Sequence, residues 1–209
     1  GQGADEMWAG YIGYPGQRLR SLLETGRVTE AWTFWTNWAK WPGRSKLMGA
    51  KFLASELTDG SLYETLRKID GKPTVPDWIR QDILVKKGVR LHKPRARPEI
   101  ETKGRRVIDE LGLSLTKRGI VSLLRHGDRN SMAFSIESRV PFLTPDMVDL
   151  LLSMPEDYLI SQSGRTKHVF REAMRGIVPS DILDRKDKIG FETPEKELIN
   201  RMACIAHQW

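Results

Sequence analysis

The first residues of the chain combine closely spaced glycines with carboxylates. Gly1 and Gly3 flank Gln2, and Asp5 and Glu6 follow after one alanine. Because glycine has no Cβ, it lets backbone amides approach a phosphate or nucleotide closely, and a nearby carboxylate can hold the magnesium that accompanies phosphates. The same pattern also suits an ordinary mobile turn. The segment therefore indicates a nucleotide site only in combination with other stretches.

Residues 184–194 concentrate cations in front of a glycine turn. Arg185, Lys186 and Lys188 precede Gly190. A lysine aimed at a departing phosphate oxygen neutralises the charge that develops there, and this effect is greatest in a water-poor pocket. Composition alone favours a solvated charged loop, so Lys188 becomes a catalytic candidate only if the rest of the chain belongs to an enzyme.

Residues 128–143 mix charged and apolar side chains in a way that neither a surface helix nor a core helix requires, and Pro141 ends the stretch abruptly. Glu137 and Arg139 are its most notable pair. If they are buried, they must be matched, and they then either lock two helices together or face a ligand. The sequence favours neither interpretation.

Helices are expected to position these stretches. Apolar residues at helical spacing predict helices near residues 17–26, 29–41, 46–57, 62–69, 77–87, 100–111, 116–124, 146–154 and 167–174. Trp32, Trp35 and Trp38 predict one buried helix face rather than an aromatic ligand site. A last helix is expected to begin at Thr193 and Pro194, with proline at the first helical position. The chain is therefore expected to be mainly α.

Composition excludes several classes of protein. The 209 residues, 39% of them apolar, suffice for one compact core. The net charge of +7 would attract polyanions, but its densest run, residues 90–97, is broken by Pro94 and resembles an exposed loop more than a nucleic-acid arm. The single cysteine, Cys204, excludes an internal disulfide framework and favours the cytoplasm. No apolar run reaches the ~18 residues that a membrane span needs.

Taken together and in their order along the chain, the three stretches resemble the synthetase domain of the glutamine-dependent asparagine synthetases. GQGADEMWAGY is similar to that family's GxGxDExFGGY segment, and DRNSMAFSIESRVPFL to its DRxSMAxSxExRxPFLD segment. GRTKHVFREAM is similar to TKxxLRxAM, and RKDKIGFETP to KxGFxxP. The likeness covers nearly the whole chain.

The resemblance implies a fold and a reaction. Residues 1–209 would form the helical C-terminal portion of an α/β synthetase domain of the adenine-nucleotide α-hydrolase-like type. The family uses ATP to convert the side-chain carboxylate of aspartate into an aspartyl-AMP, releasing pyrophosphate. Ammonia derived from glutamine then displaces AMP and yields asparagine.

The resemblance also implies roles for single residues. Gly1 and Gly3 correspond to the loop that touches the adenylate, Asp5 to the carboxylate that holds magnesium on the pyrophosphate, and Lys188 to the lysine that stabilises charge at the reacting centre. ATP and Mg²⁺ are thus the implied cofactors. The implied partners are the small-molecule substrates and the upstream part of the same enzyme, without nucleic acid or membrane, and a homodimer is left open.

Three departures from the family pattern change what is expected of the pocket. Gln2 stands where some members carry a glutamate thought to act in proton transfer, and an amide cannot be a general base. Thr144 replaces the aspartate that usually follows PFL, and residues 7–9 replace a smaller, glycine-ending loop. We therefore expect an altered pocket, and aspartate is the leading candidate among several acids.

Two parts of the family pattern do not occur in this sequence: the Ser-Gly-Gly-x-Asp-Ser pyrophosphate loop and the N-terminal cysteine of the glutaminase domain. The chain alone is therefore expected to be inactive. The alternatives are a relative that amidates or cyclises another acid, a non-catalytic helical interaction module, and a nucleic-acid binder. A binding module would not need both Asp5 and Lys188 at matching positions, which favours the enzyme.

Overall fold

The chain folds almost entirely into helices. The computed structural model describes residues 2–58, 71, 75, 78–89, 101–186, 194, 197, 198, 200 and 202. Eleven helices have both of their ends in these ranges: α1 (Ala4–Met7), α2 (Tyr14–Glu24), α3 (Val28–Trp38), α4 (Lys46–Leu57), α5 (Gln81–Lys86), α6 (Arg106–Thr116), α7 (Ile120–Met132), α8 (Pro145–Ser153), α9 (Glu156–Leu159), α10 (His168–Ala173) and α11 (Ser180–Leu183). Strand pairing among the described residues is limited to two isolated bridges. The predicted mainly α class is confirmed.

Helix α2 is the centre of the packing and contacts α3, α4 and α6. It begins with Pro15 in its first turn, a position that proline favours, and it buries Leu19 and Leu22. Gly16 lets α4 come close, because a Cβ at this position would lie 3.0 Å from the Cβ of Phe52. The core therefore forms around α2, and Phe52 of α4 packs directly against the α2 backbone at Gly16.

The tryptophans of α3 do not share one buried face. Trp38 is 1% exposed, whereas Trp32 is 59% exposed. Successive residues of a helix are rotated by about 100°. Trp32 and Trp38 are six residues apart, so their side chains point about 120° away from each other and cannot both face the core. Ala31 and Phe34 complete the buried face with Trp38. The prediction of a single buried tryptophan face is wrong for Trp32.

A buried ion pair joins α2 to α9. The Nη1 of Arg18 lies 3.2 Å from Oε2 of Glu156, and both side chains are almost completely buried. Glu156 also accepts hydrogen bonds from the Ser21 hydroxyl at 3.1 Å and from the Val107 amide at 2.7 Å. Burial raises the pKa of Glu156, whereas the charge of Arg18 and the two hydrogen bonds oppose that rise. One carboxylate therefore ties α2, α6 and α9 together.

Side-chain caps begin two of the helices. Ser45 accepts a hydrogen bond from the Met48 amide at the start of α4, at 3.1 Å. Thr144 accepts one from the Met147 amide at the start of α8, at 3.4 Å. Threonine and aspartate both satisfy a free amide at this position. The departure from the family pattern at Thr144 therefore leaves a helix cap in place.

The remaining helix predictions agree unevenly with the structure. The two helices predicted at 100–111 and 116–124 are found shifted, as α6 and α7. The helix predicted at 62–69 and the basic run 90–97 lie outside the described residues. Of the last predicted helix, residues 197, 198, 200 and 202 are described and helical. Within the described ranges, no helix has the length and apolarity to cross a bilayer.

Candidate functional site

The glycine-rich start of the chain lies against the end of the 128–143 stretch. Gly3 precedes α1 with φ of +93°, a left-handed conformation that glycine adopts without strain. A Cβ at Gly3 would lie 2.6 Å from Cδ2 of Leu143. Two of the stretches selected from the sequence are therefore in contact. Gly1 lies outside the described residues.

Asp5 forms an ion pair with a lysine from the third part of the family pattern. The Nζ of Lys167 lies 3.0 Å from Oδ1 of Asp5, and the side chains are 24% and 31% exposed. Lys167 directly precedes α10, has φ of +55°, and donates its amide hydrogen to the Trp8 carbonyl at 3.0 Å. The pair is thus held in place by the backbone yet remains open to a ligand.

Gly10 makes room for this pair. A Cβ there would lie 2.0 Å from Oδ1 of Asp5 and 2.4 Å from Cε of Lys167. The amide of Gly10 also donates to the Asp5 carbonyl at 2.8 Å, so the turn after α1 folds directly over the carboxylate. Any larger residue at position 10 would occupy the space that the ion pair uses.

Substituting Gly10→Ala is therefore expected to open the Asp5–Lys167 pair, because the new methyl group would overlap both partners. A crystal structure of the variant should show the Nζ to Oδ1 distance lengthened beyond hydrogen-bond range. Gly13→Ala is the matched control, since a Cβ at Gly13 meets nothing within 4 Å. An unchanged distance in the Gly10→Ala variant would contradict the assignment.

A cluster of three aromatic side chains, Trp8, Phe142 and Phe170, lies next to the site. Trp8 packs edge-on against Phe142 with a ring-centroid distance of 5.2 Å, and it lies 4.7 Å from Phe170. Met7, Trp8 and Ala9 are all buried. Their side chains belong to the hydrophobic core, in which Trp8 packs against Phe142 and Phe170. The expectation that residues 7–9 alter the shape of the pocket stays a prediction.

Glu6 is a buried carboxylate in the same turn, only 2% exposed. The Tyr11 hydroxyl donates a hydrogen bond to Oε1 of Glu6 at 2.5 Å. Burial and the bond to Glu6 raise the pKa of Tyr11, so this hydroxyl keeps its proton at neutral pH and acts as a donor. The pair fixes the turn that follows Asp5, and the sequence pattern alone had assigned Glu6 no role.

Glu137 and Arg139 form an ion pair with each other on the surface. Their charged atoms are 2.9 Å apart, and their side chains are 69% and 80% exposed. The interpretation that they lock two helices together is wrong, because this pair is short-range and solvated and such pairs contribute little to stability. The neighbouring Phe134 and Ile136 are also exposed. The ligand-facing interpretation stays a prediction.

The groove between α2, α3 and α4 is a different kind of surface. Its volume is about 340 Å³, and its lining consists of apolar or aromatic residues such as Leu19, Trp32 and Leu57. Among the described residues that line it, none has a titratable side chain that could act on a carboxylate or a phosphate. The Asp5–Lys167 pair is therefore the better candidate for a reaction site.

The residues around Asp5 suit magnesium that arrives with phosphates. Within the part of the chain that the structure describes, no group of three or more His, Cys, Asp or Glu could hold a metal by itself. Magnesium in nucleotide sites needs only one or two carboxylates, since phosphates and water supply the other ligands. Asp5 offers a hard oxygen, and Lys167 offers a cation for a phosphate oxygen. Lys188 lies outside the described residues.

Lys167 is the main functional candidate that the sequence analysis did not single out. It lies within the GRTKHVFREAM segment, where it occupies the lysine position of the TKxxLRxAM pattern. That match was the available signal, but nothing local in the sequence shows that this lysine reaches Asp5.

Comparison with known proteins gives one family. Residues 1–208 match the family model described as "Asparagine synthase". "Asparagine synthetase [glutamine-hydrolyzing] 1" of Bacillus subtilis (strain 168) is 42% identical over 72 residues, which is 34% of this chain and 11% of that protein. "Asparagine synthetase [glutamine-hydrolyzing]" of Bos taurus is 31% identical over 130 residues, which is 61% of this chain and 20% of that protein.

The chain therefore spans only 11% and 20% of the lengths of these two curated relatives. The corresponding protein of Mus musculus is 32% identical over the same number of residues, 130. No solved structure matches the chain.

Proposed function

The chain belongs to the asparagine synthase family, and on this basis we propose that it forms part of an ATP-dependent ligase that adenylates a carboxylate and converts it into an amide. The proposed acid is the side chain of aspartate, the nitrogen donor is ammonia derived from glutamine, and the product is asparagine. The observation that carries the proposal is the ion pair between Asp5, which lies in a glycine-rich turn, and Lys167. Asp5 would bind magnesium, and Lys167 beside it would bind a phosphate oxygen.

The proposed chemistry has two steps. A carboxylate oxygen of aspartate attacks the α-phosphorus of ATP, the bond to the β-phosphate bridging oxygen breaks, and pyrophosphate leaves with that oxygen. Ammonia then attacks the acyl carbon, AMP departs with its oxygen, and the nitrogen releases a proton. Both steps place negative charge on phosphate oxygens, and fixed cations stabilise such charge best.

Each candidate residue has a proposed task in these steps. Gly1 and Gly3 allow backbone to approach the adenylate, and Lys188 stabilises charge at the reacting centre. Asp5 would hold magnesium, which when bound neutralises the pyrophosphate that leaves. Lys167 now faces Asp5 at 3.0 Å. When Asp5 turns to the metal, the Lys167 ammonium is free to bind a phosphate oxygen as a point charge.

Other parts of the site are proposed to come from elsewhere in the polypeptide. The Ser-Gly-Gly-x-Asp-Ser pyrophosphate loop and a glutaminase domain belong to the segments that this chain does not contain. Gln2 cannot accept the proton from ammonia, so its proposed role is to position a ligand. The single cysteine, Cys204, supports a cytoplasmic location for the reaction.

The decisive test is AMP release by the natural full-length polypeptide that contains this chain. With ATP, magnesium, aspartate and either ammonia or glutamine, we expect AMP and asparagine in equal amounts. Replacing aspartate with other carboxylic acids tests the substrate. AMP release with another acid alone would move the protein to a relative that amidates or cyclises that acid, and no AMP with any acid would favour the interaction module.

In the same assay, Lys188→Ala should lower the rate of AMP release by ~100-fold or more, because it removes a cation that stabilises the transition state. Thermal unfolding should be unchanged. Lys186→Ala is the matched control, two residues away in the same cationic stretch. Equal rates for wild type and the Lys188→Ala variant would remove Lys188 from the reacting centre.

A further inference from the structure

Three arginines from one segment converge on the end of α11. Arg165 donates to the Leu183 carbonyl at 2.8 Å and to Oδ1 of Asp184 at 2.5 Å. Arg171 donates to the same Leu183 carbonyl. Arg175 donates to Oδ1 of Asp184 at 3.2 Å. The Leu183 carbonyl and the Asp184 carboxylate, which are adjacent in the chain, therefore receive hydrogen bonds from three guanidinium groups.

Glu172 completes this arginine cluster, which consists of Arg165, Arg171, Glu172, Arg175 and Asp184. Its carboxylate accepts from Arg165 at 3.0 Å and from Arg175 at 2.7 Å. The guanidinium groups of Arg175 and Arg165 hold the pKa of Asp184 below its usual value, so Asp184 is ionised at neutral pH. Arg165 and Arg175 thus share two carboxylates, and Arg171 bonds to the Leu183 carbonyl, so that the turn is held at both the Asp184 side chain and the Leu183 carbonyl.

The same segment reaches the candidate site at its other end. Arg165 lies two residues before Lys167, whose ammonium contacts Asp5 and whose amide donates to the Trp8 carbonyl. Residues 165–175 therefore bridge the turn that holds Asp5 and the turn after α11. Exposed ion pairs contribute little to stability. Hydrogen bonds from guanidinium groups to a main-chain carbonyl, however, fix the position of that part of the chain.

We propose that Arg165 and Arg175, acting through Asp184, are positioning residues for the reaction. They hold residues 183–185 in a fixed place relative to the candidate site. This inference rests on the proposed function and adds to it the residues that fix the start of its cationic stretch, at residues 184 and 185.

Covalent geometry links the arginine cluster to Lys188. Lys188 follows Arg185 by three residues, and three residues span at most ~11 Å. Fixing Arg185 therefore limits the region that Lys188 can reach. Because a displacement of ~1 Å at a reacting centre can cost ~100-fold in rate, a freed turn should lower the rate without weakening the binding of ATP.

The test uses the full-length polypeptide with Asp184→Asn, which keeps the shape of the side chain but removes its charge. We expect kcat for AMP release to fall by about 10-fold or more with the KM for ATP unchanged. Trypsin should also cut faster after Arg185 and Lys186. Asp184→Glu, which restores the carboxylate, should recover most of the lost kcat.

Glu30→Gln is the matched control. The Arg27–Glu30 pair has side-chain exposures of 46% and 43%, close to the 42% and 50% of Arg175 and Asp184. We expect it to change neither kcat nor the rate of tryptic cleavage. Equal loss of kcat in this control would show that Asp184 has no special role.

Other outcomes separate this inference from the proposed function. An active wild type with an equally active Asp184→Asn variant overturns the positioning role alone, even if cleavage by trypsin becomes faster. A loss that persists in Asp184→Glu also counts against it. No AMP release from the wild-type polypeptide overturns the proposed function, and the positioning role with it.

Discussion

Substituting Asp5→Asn in the full-length polypeptide should lower AMP release by ~100-fold at a limiting magnesium concentration and move the magnesium titration to higher concentrations. An amide oxygen carries no net charge and binds magnesium more weakly than a carboxylate does. Asp5 is 31% exposed and its partner Lys167 is 24% exposed, so the fold should survive the substitution. Rate and magnesium dependence are measured together by following AMP.

Glu30→Gln is the matched control for this experiment. Glu30 is also an ion-paired carboxylate, but it is 43% exposed and its partner Arg27 is a close neighbour in sequence. We expect neither the rate nor the magnesium titration to change in this variant. A magnesium titration of Asp5→Asn that overlays the wild-type curve would show that Asp5 does not bind the metal.

Substituting Glu156→Ala should destabilise the protein by about 3–5 kcal/mol, because it leaves the buried guanidinium of Arg18 without its counter-charge. The Val107 amide and the Ser21 hydroxyl would lose an acceptor as well. Since whole domains are stable by only about 5–15 kcal/mol, this loss is large. Chemical denaturation followed by circular dichroism measures it as a lower midpoint.

Glu30→Ala provides the comparison, since Glu30 also pairs with an arginine but on the surface. Its denaturation midpoint should match that of the wild type. Glu156→Gln should fall between Glu156→Ala and the wild type, because the amide oxygen can still accept the bonds from Ser21 and Val107. If Glu156→Ala and Glu30→Ala unfold at the same midpoint, the buried pair does not hold α2 and α9 together.

The fold class was predictable because its signals are local. Apolar spacing located α4 and α8 to within a residue or so, and the caps at Ser45 and Thr144 are of the types that begin helices. The phase of α3 was not predictable from the tryptophans alone. The burial of Trp38 and the exposure of Trp32 depend on which side of the helix faces α2 and α4.

The candidate site was predictable only in part. Gly3 and Asp5 could be chosen because glycine spacing and a nearby carboxylate form a recognisable local pattern. Lys167 could not be paired with Asp5 in this way, since their contact depends on the path of the whole chain between them. The exposure of Glu137 and Arg139 was not predictable either, because a mixture of charged and apolar residues does not show which side chains face solvent.

The contacts that build the candidate site also determine when it can form. Gly3 lies against Leu143, Asp5 pairs with Lys167, and Trp8 packs against Phe170. Contacts between residues so far apart in sequence must close a long loop, and they form slowly.

During synthesis at about 5–20 residues per second, the first ten residues of this chain would wait roughly 10–30 s for their partners to be made. Until then Trp8 has neither Phe142 nor Phe170 to pack against. The start of the chain is thus a segment that chaperones would meet before α10 exists.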